Sequence, residues 1–389
     1  MKKKCVIIGA GEFQLPLIEK ANELDYETHV FAWEKGAVGK DISDYFYPIS
    51  ITNKKEILDE CIIINPHCVV SIGSDLAALT VNFVSRYLGL SSNPEKVDNK
   101  ATNKFSMRKA FKECGINTPS FYILKEENDV KSSWEKKNLQ FPVVVKPTDR
   151  SGSRGVRKVH SVFELENAVE LAIQYSFEKT AIIEEFIRGK EYSAEIISYQ
   201  GKHHILAFTE KFTTGAPDYI EVAHIEPSGL SKDNTSTLEP ELKRALDALD
   251  IKTGASHCEF KINNQNEIWI IEIGARMGGD CIGSDLVKLS SGNDYVNMVI
   301  DAAAGIQPEI NENINHSAMV RFIFSENDLL LLDKIKQDNP EIIDKIFLKN
   351  NINSYTSNAI VDSSSRLGYF ILKSKGRSEL ERYLPRKLV

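Results

Sequence analysis

Over the first ninety residues, short apolar runs alternate with amphipathic stretches. Lys4-Cys-Val-Ile-Ile reads as a buried strand entering a turn at Gly9-Ala-Gly11, Leu15 to Leu24 as an amphipathic helix, and Thr28 to Trp33 as a second strand. The alternation continues with a helix over Lys54 to Cys61, a strand over His67 to Ile72 and a helix over Leu76 to Leu88. Alternating α and β elements imply a parallel sheet with helices on both faces. Near residue 95 the pattern changes, and Asn103 to Gly115 predicts one helix stopped by its glycine, with Pro119 just beyond.

Further on, Phe141-Pro-Val-Val-Val-Lys-Pro predicts a strand with Lys146 at its end, and Val162 to Tyr175 a helix. Ala181 to Tyr199 reads as two strands joined by a turn at Arg188-Gly189; Phe208 to Pro227 reads as irregular and polar, and Glu241 to Leu249 as a helix. The clearest pattern is Cys258 to Asp280. Cys258, Phe260 and Ile262 alternate with polar residues, Asn263 to Asn266 supply a break, and Trp269, Ile271 and Ile273 alternate after it, which predicts a β-hairpin. With the turn centred between Gln265 and Asn266, Glu259 and Glu272 fall opposite one another. Like charges so opposed, with Cβ atoms roughly 5 Å apart, destabilise a strand pair. The expectation is therefore a hard cation between them, Mg²⁺ first, with nucleotide phosphates as the other half of its site. Strands at Met319 to Phe324 and Gly368 to Lys373 predict a small last domain.

Composition narrows the class. The chain has 389 residues, 42% hydrophobic and 26% charged, which suits a globular protein of two or three domains. Its longest apolar runs are too short to span a bilayer, and no export signal is visible, which points to the cytoplasm. The six cysteines are scattered without zinc-site spacing and read as reduced. A net charge of −7 without a basic tract argues against nucleic acid as a partner. Within Thr148 to Val159, Gly152 and Gly155, the hydroxyls of Ser151 and Ser153, and Arg150, Arg154 and Arg157 form a plausible anion cradle. A solvated hairpin tip is the competing reading. At the N-terminus, Gly9 and Gly11 suit either a dinucleotide turn or a plain strand-to-helix turn; Gln14 replaces the third glycine of the dinucleotide fingerprint, and Glu34 only approximates the place of its ribose-binding acid.

Taken in order, the Gly-x-Gly opening, the lysine helix, the lysine strand and its loop, Glu184-Glu-Phe-Ile and the hairpin ending Glu272-Ile-Gly-Ala-Arg-Met-Gly-Gly-Asp resemble the ATP-grasp superfamily. The resemblance covers most of the chain. It implies an α/β and α+β architecture: an ATP-grasp fold over residues 96–308, with a lid subdomain at about 120–190, a Rossmann-like pre-ATP domain over 1–95 and a small C-terminal α+β domain over 309–389. By the same resemblance Lys104, with Lys100 as the alternative, and Lys146 contact the nucleotide phosphates, together with Ser151, Gly152, Ser153 and Gly155. Glu184, Glu185, Phe186 and Ile187 form the adenine linker, Glu191 takes the ribose, and Lys211 joins the nucleotide site. Glu259 and Glu272 bind Mg²⁺ or Mn²⁺, Arg276 steadies an acyl phosphate, and His224 lies near the substrate. Gly274 stands where the family commonly has an asparagine ligand, which puts a second metal in doubt. The implied activity is ATP-dependent carboxylate–amine ligation of small, amino-acid-like substrates, in a homodimer, away from membranes. A purine-pathway or carboxylase-like enzyme, a catalytically silent nucleotide-binding module and an NAD-linked dehydrogenase remain as alternatives.

Overall fold

The computed structural model describes residues 2–125, 130, 134, 139–215, 219–311, 316–349 and 365–385. The opening pattern folds as a parallel sheet. Strands β1 (Lys4–Ile8), β2 (Glu27–Phe31), β3 (Tyr45–Tyr47) and β4 (Cys68–Val70) lie in the order β3-β2-β1-β4, with α1 (Leu15–Glu23), α2 (Lys54–Ile64) and α3 (Asp75–Tyr87) between or after them. Gln14 explains what became of the fingerprint turn. Its Oε1 accepts from Gly11 N at 3.2 Å and its Nε2 donates to Ile72 O at 3.0 Å, so a side chain of the chain itself bridges the glycine turn and the end of β4.

After α4 (Glu95–Thr102) and α5 (Lys104–Glu113), where the lid was expected, a separate sheet forms from β5 (Phe121–Lys125), β6 (Val143–Pro147), β7 (Arg157–Val159) and β8 (Thr180–Glu185). These pair in the order β5-β8-β6-β7 and are backed by α6 (Val162–Tyr175), whose Leu165, Ala168, Val169 and Ala172 meet Val143, Val145 and Ile183 in one core. β8 and β9 (Lys190–Tyr199) were expected as partners across a turn. They belong to different sheets, and Phe186–Gly189 is the crossing between them. Only glycine fits at 189: φ is +149°, and a Cβ would lie 2.3 Å from Ile262 O.

The largest sheet contains β9, β10 (Lys202–Thr213), β11 (Glu221–Glu226), β12 (Gly254–Ile262), β13 (Ile268–Gly274), β14 (Ser317–Ile323), β15 (Ile343–Leu348) and β16 (Gly368–Ser374), in the order β13-β12-β9-β10-β11-β14-β16-β15. Its pairings are antiparallel. The last segment, expected as a domain of its own, thus adds its strands to this sheet; residues 312–315, 350–364 and 386–389 lie outside the described ones. One face packs on α5 and α7 (Lys232–Ala248). The other meets α9 (Tyr295–Ala303), which follows the short α8 (Val287–Ser291) and shares a continuous core with the N-terminal sheet. That shared core seats the N-terminal domain against the hairpin.

Two further sequence readings fail for physical reasons. Phe208 to Pro227 is not irregular: β10 runs on to Thr213 and β11 follows, but Thr209, Glu210, Lys211, His224 and Glu226 are buried polar residues that hydropathy reads as loop. In the hairpin, Glu259 pairs with Glu272 as expected, after which the register slips to Phe260↔Ile270. The extra residue is Ile271. The buried positions of β13 therefore include Ile270 and Ile273, while Trp269 and Ile271 are half-buried, and the bulge turns Ile271 toward the cavity described next.

Candidate active site

A cavity of about 200 Å³ lies between the β5–β8 sheet and the β9–β13 end of the large sheet. Lys104 reaches it from the first turn of α5, where the Asn103 side chain caps the helix by accepting from Ser106 N at 3.1 Å. Its Nζ donates to Arg150 O at 2.7 Å and to Glu272 Oε1 at 2.9 Å. Lys100 is used elsewhere, bonded to Ala248 O and Asp250 at 2.9 Å. Lys146, near the end of β6, sits 2.7 Å from Glu184 Oε2, and Arg108 Nε is 2.8 Å from the other oxygen. All three are buried. Burial pushes the Lys146 ammonium below its ordinary pKa; burial would raise the Glu184 carboxyl, but Arg108 and then Lys146 hold it below the usual range. Glu184 lines the cavity, yet its carboxylate serves as counter-ion to two cations.

On the opposite wall, Glu259 and Glu272 are paired across the hairpin, and each has a cation of its own. Lys211 Nζ lies 2.6 Å from Glu259 Oε1, 3.5 Å from Glu191 and 3.7 Å from Glu221, while Lys104 holds Glu272. The repulsion that seemed to demand a metal is thus met by lysines. His257 joins this wall, its Nε2 3.3 Å from Glu259 Oε1 and its Nδ1 bonded to buried Glu195, whose second oxygen accepts from Gly278 N at 2.9 Å. Burial alone would lower the His257 pKa, but Glu195 and then Glu259 push it up to about 9. Burial likewise works against the Glu259 anion, yet Lys211 and His257 keep it well below the carboxylate range.

Among the described residues no group of three or more His, Cys, Asp or Glu side chains stands together as a metal site. The pair still fits a hard cation. Both glutamates line the cavity, and Glu259 Oε2 and Glu272 Oε2 accept no hydrogen bond among the described residues, leaving one anionic oxygen apiece for a cation completed by phosphates.

Arg276 follows the hairpin into the same cavity, with Nε donating to Asp75 Oδ1 at 2.9 Å. His224 does not reach it. It is 1% exposed on β11, 3.7 Å from Asp280, and Asp280 is itself gripped by Arg366 at 2.7 and 2.8 Å. Lys211 is also absent from the lining and acts from below through Glu259. Ser151, Gly152 and Ser153 line the cavity; Gly155 does not, being packed at the loop's base against Tyr175 and Pro147. Glu185, Phe186, Ile187 and Glu191 line the far end, where Lys158 Nζ stands 3.8 Å above the Phe186 ring.

Sequence reasoning missed Asp75, Arg108, Glu195, Glu221, His257, Lys158 and Lys261. His257 and Lys261 carried a local signal: two residues before and two after Glu259 on one strand, they must share that residue's face. The others arrive from distant elements.

Comparison with known proteins places this cavity within a recognised domain type. Residues 139–285 match the ATP-grasp domain family. D-alanine–D-alanine ligase of Hydrogenovibrio crunogenus is 28% identical over 184 residues, spanning 44% of this chain and 55% of that enzyme. The alignment with D-alanine–D-alanine ligase of Flavobacterium johnsoniae is 27% identical over 298 residues, 70% of this chain and 89% of that one. The crystal structure of L-amino acid ligase from Bacillus licheniformis superposes with a TM-score of 0.79 at 20% identity, covering 98% of this chain and 96% of that one. The chain thus carries a match to the ATP-grasp domain over residues 139–285 and has the ATP-grasp fold.

Proposed function

We propose that the protein is an ATP-dependent carboxylate–amine ligase acting on amino-acid-like substrates, with ADP and phosphate as the other products. The observation that carries this reading is the convergence of Lys104, Lys146, Glu259, Glu272 and Arg276 on one cavity, although they come from four different stretches of chain. Lys104, Lys146 and the Ser151–Ser153 backbone would cradle the phosphates, with the base beside Phe186 and Ile187 and the ribose at Glu191. Glu259 and Glu272 would hold Mg²⁺ or Mn²⁺, which when bound neutralises phosphate charge. The substrate carboxylate attacks the γ-phosphorus, the bond to the β–γ bridging oxygen breaks, and ADP leaves. The amine then adds to the acyl phosphate and phosphate departs, with Arg276 offsetting the oxyanion charge. No side-chain nucleophile is needed, in keeping with buried thiols at Cys258 and Cys281 that burial pushes to high pKa.

The relatives named as D-alanine–D-alanine ligases and the amino acid ligase neighbour support amino-acid-like substrates. Phosphate release from ATP–Mg²⁺ across pairs of amino acids and hydroxy acids tests the reading. Release that requires both members of a pair is the expected result. Release driven by bicarbonate or by a phosphorylated sugar amine alone would favour the carboxylase or purine-pathway reading, and a thermal shift with NAD but not ATP would defeat ligation altogether.

A further inference from the structure

The Asp75–Arg276 ion pair joins two domains at the cavity. Asp75 is the first residue of α3 in the N-terminal sheet domain, placed by Ser74, whose side chain caps the helix by accepting from Ala77 N at 3.2 Å. Arg276 lies just past β13. Its Nε donates to Asp75 Oδ1 at 2.9 Å and its Nη1 to Met277 O at 3.2 Å, while Nη2 has no hydrogen-bond partner among the described residues and remains available to an anion in the cavity. Both side chains are only 18% exposed.

Gly274 makes room for this pair. A Cβ at 274 would lie 3.2 Å from Asp75 Oδ1, 3.3 Å from Arg276 Nε and 3.4 Å from its Cζ, tighter than ordinary contact, so a side chain there presses directly on the ion pair. The glycine that looked like a lost metal ligand is the opening through which the N-terminal domain reaches the arginine. Burial alone would raise the Asp75 carboxyl; Arg276 first, then Lys104 and Ser151 of the phosphate loop, hold it below its ordinary pKa, which places its charge among the groups that line the cavity. A long side chain such as Arg276 has many rotamers, and two fixed hydrogen bonds restrict it to one.

We infer that Asp75 is a positioning residue: through the gap at Gly274 it fixes the Arg276 guanidinium for the transferring phosphoryl group, so the N-terminal domain completes the catalytic site. This rests on the ligase reading for what Arg276 acts upon, but not for how it is held.

The test compares wild type, Asp75→Asn, Gly274→Ala, Arg276→Lys and the Asp75→Asn/Arg276→Lys double variant, using ATP–Mg²⁺ and the amino-acid pair with the fastest phosphate release. Asp75→Asn should lower kcat on the order of 10²-fold, the usual consequence of a catalytic group misplaced by about 1 Å, while the KM for ATP stays level. Gly274→Ala should give a smaller loss in a normally folded protein. In the Arg276→Lys background Asp75→Asn should cost nothing further, because both act through one contact. Multiplying losses, or an undiminished kcat in Asp75→Asn, would overturn the inference. An NMR measurement in ¹⁵N-arginine-labelled protein separates it from the ligase reading. The Arg276 Nε–H, assigned by its absence in Arg276→Lys, should resist solvent exchange in wild type and lose that protection in Asp75→Asn. Should no pair support turnover, lost protection still sustains the positioning role while the ligase reading falls; retained protection overturns the positioning role.

Discussion

Lys146 and Glu184 face each other from neighbouring strands of the β5–β8 sheet, Nζ to Oε2 at 2.7 Å, with Arg108 2.8 Å from the second oxygen. Two cations thus share one buried anion, and the surplus positive charge belongs to the cavity. Lys146→Met leaves a neutral Arg108–Glu184 pair, so the fold should hold while ATP affinity drops. Glu184→Gln leaves two buried cations without an anion and should lower unfolding free energy by about 3–5 kcal/mol. Denaturant titration beside calorimetric ATP binding checks both; a destabilised Lys146→Met protein with normal ATP affinity would make the lysine structural.

Glu272→Gln removes the anion that Lys104 holds at 2.9 Å, and Lys104 is 5% exposed. Apo stability should fall by about 1–3 kcal/mol, and Mg²⁺-dependent ATP binding should fall with it. Were repulsion between Glu259 and Glu272 stronger than the attraction to Lys104, the variant would melt higher than wild type in the absence of metal.

Glu226 is fully buried, accepting from Thr209 Oγ1 at 2.7 Å and Ser290 Oγ at 2.8 Å, and burial pushes its carboxyl up to about 8. A carboxyl with a raised folded pKa stays protonated in the native state while the unfolded chain ionises near 4.5. Its stabilisation is therefore complete below that unfolded value and is lost as pH climbs to 8, at up to roughly 1.4 kcal/mol per pH unit. Glu226→Gln should flatten the stability profile between pH 5 and 8. An identical slope in the two proteins would show that Glu226 is ionised in the native state.

The loop tip Ser151–Arg154 is exposed and offers little apolar surface, though Arg150 stacks over Phe177 at 4.2 Å and Asp149 accepts from the backbone of Phe177 and Glu178. Its amides should exchange quickly with deuterium in the apo protein and slow on adding ATP–Mg²⁺. Slow exchange in both states would mean a tip that does not close on nucleotide.

Much of this was legible in the sequence because local patterns set it. The N-terminal alternation, the α5 helix behind Asn103 and the Glu259–Glu272 opposition all follow from spacing along one stretch of chain. The bulge at Ile271 escaped because a single extra residue reverses the faces on one side only. β10 and β11 escaped because their inward face carries Thr209, Lys211, His224 and Glu226, whose burial depends on partners from other strands. Asp75 could not be found from its neighbours at all: its partner is 201 residues away, brought near by the core that α9 shares with the N-terminal sheet.

The central claim is that a carboxylate oxygen of the substrate becomes bonded to phosphorus. Turnover with ATP–Mg²⁺ and an amino acid labelled with ¹⁸O in its carboxylate, under conditions where phosphate release requires both substrates, measures this directly. An acyl-phosphate route delivers one ¹⁸O from the carboxylate into each phosphate released, alongside ADP. Phosphate that is free of label, or AMP and pyrophosphate in place of ADP and phosphate, would contradict the account.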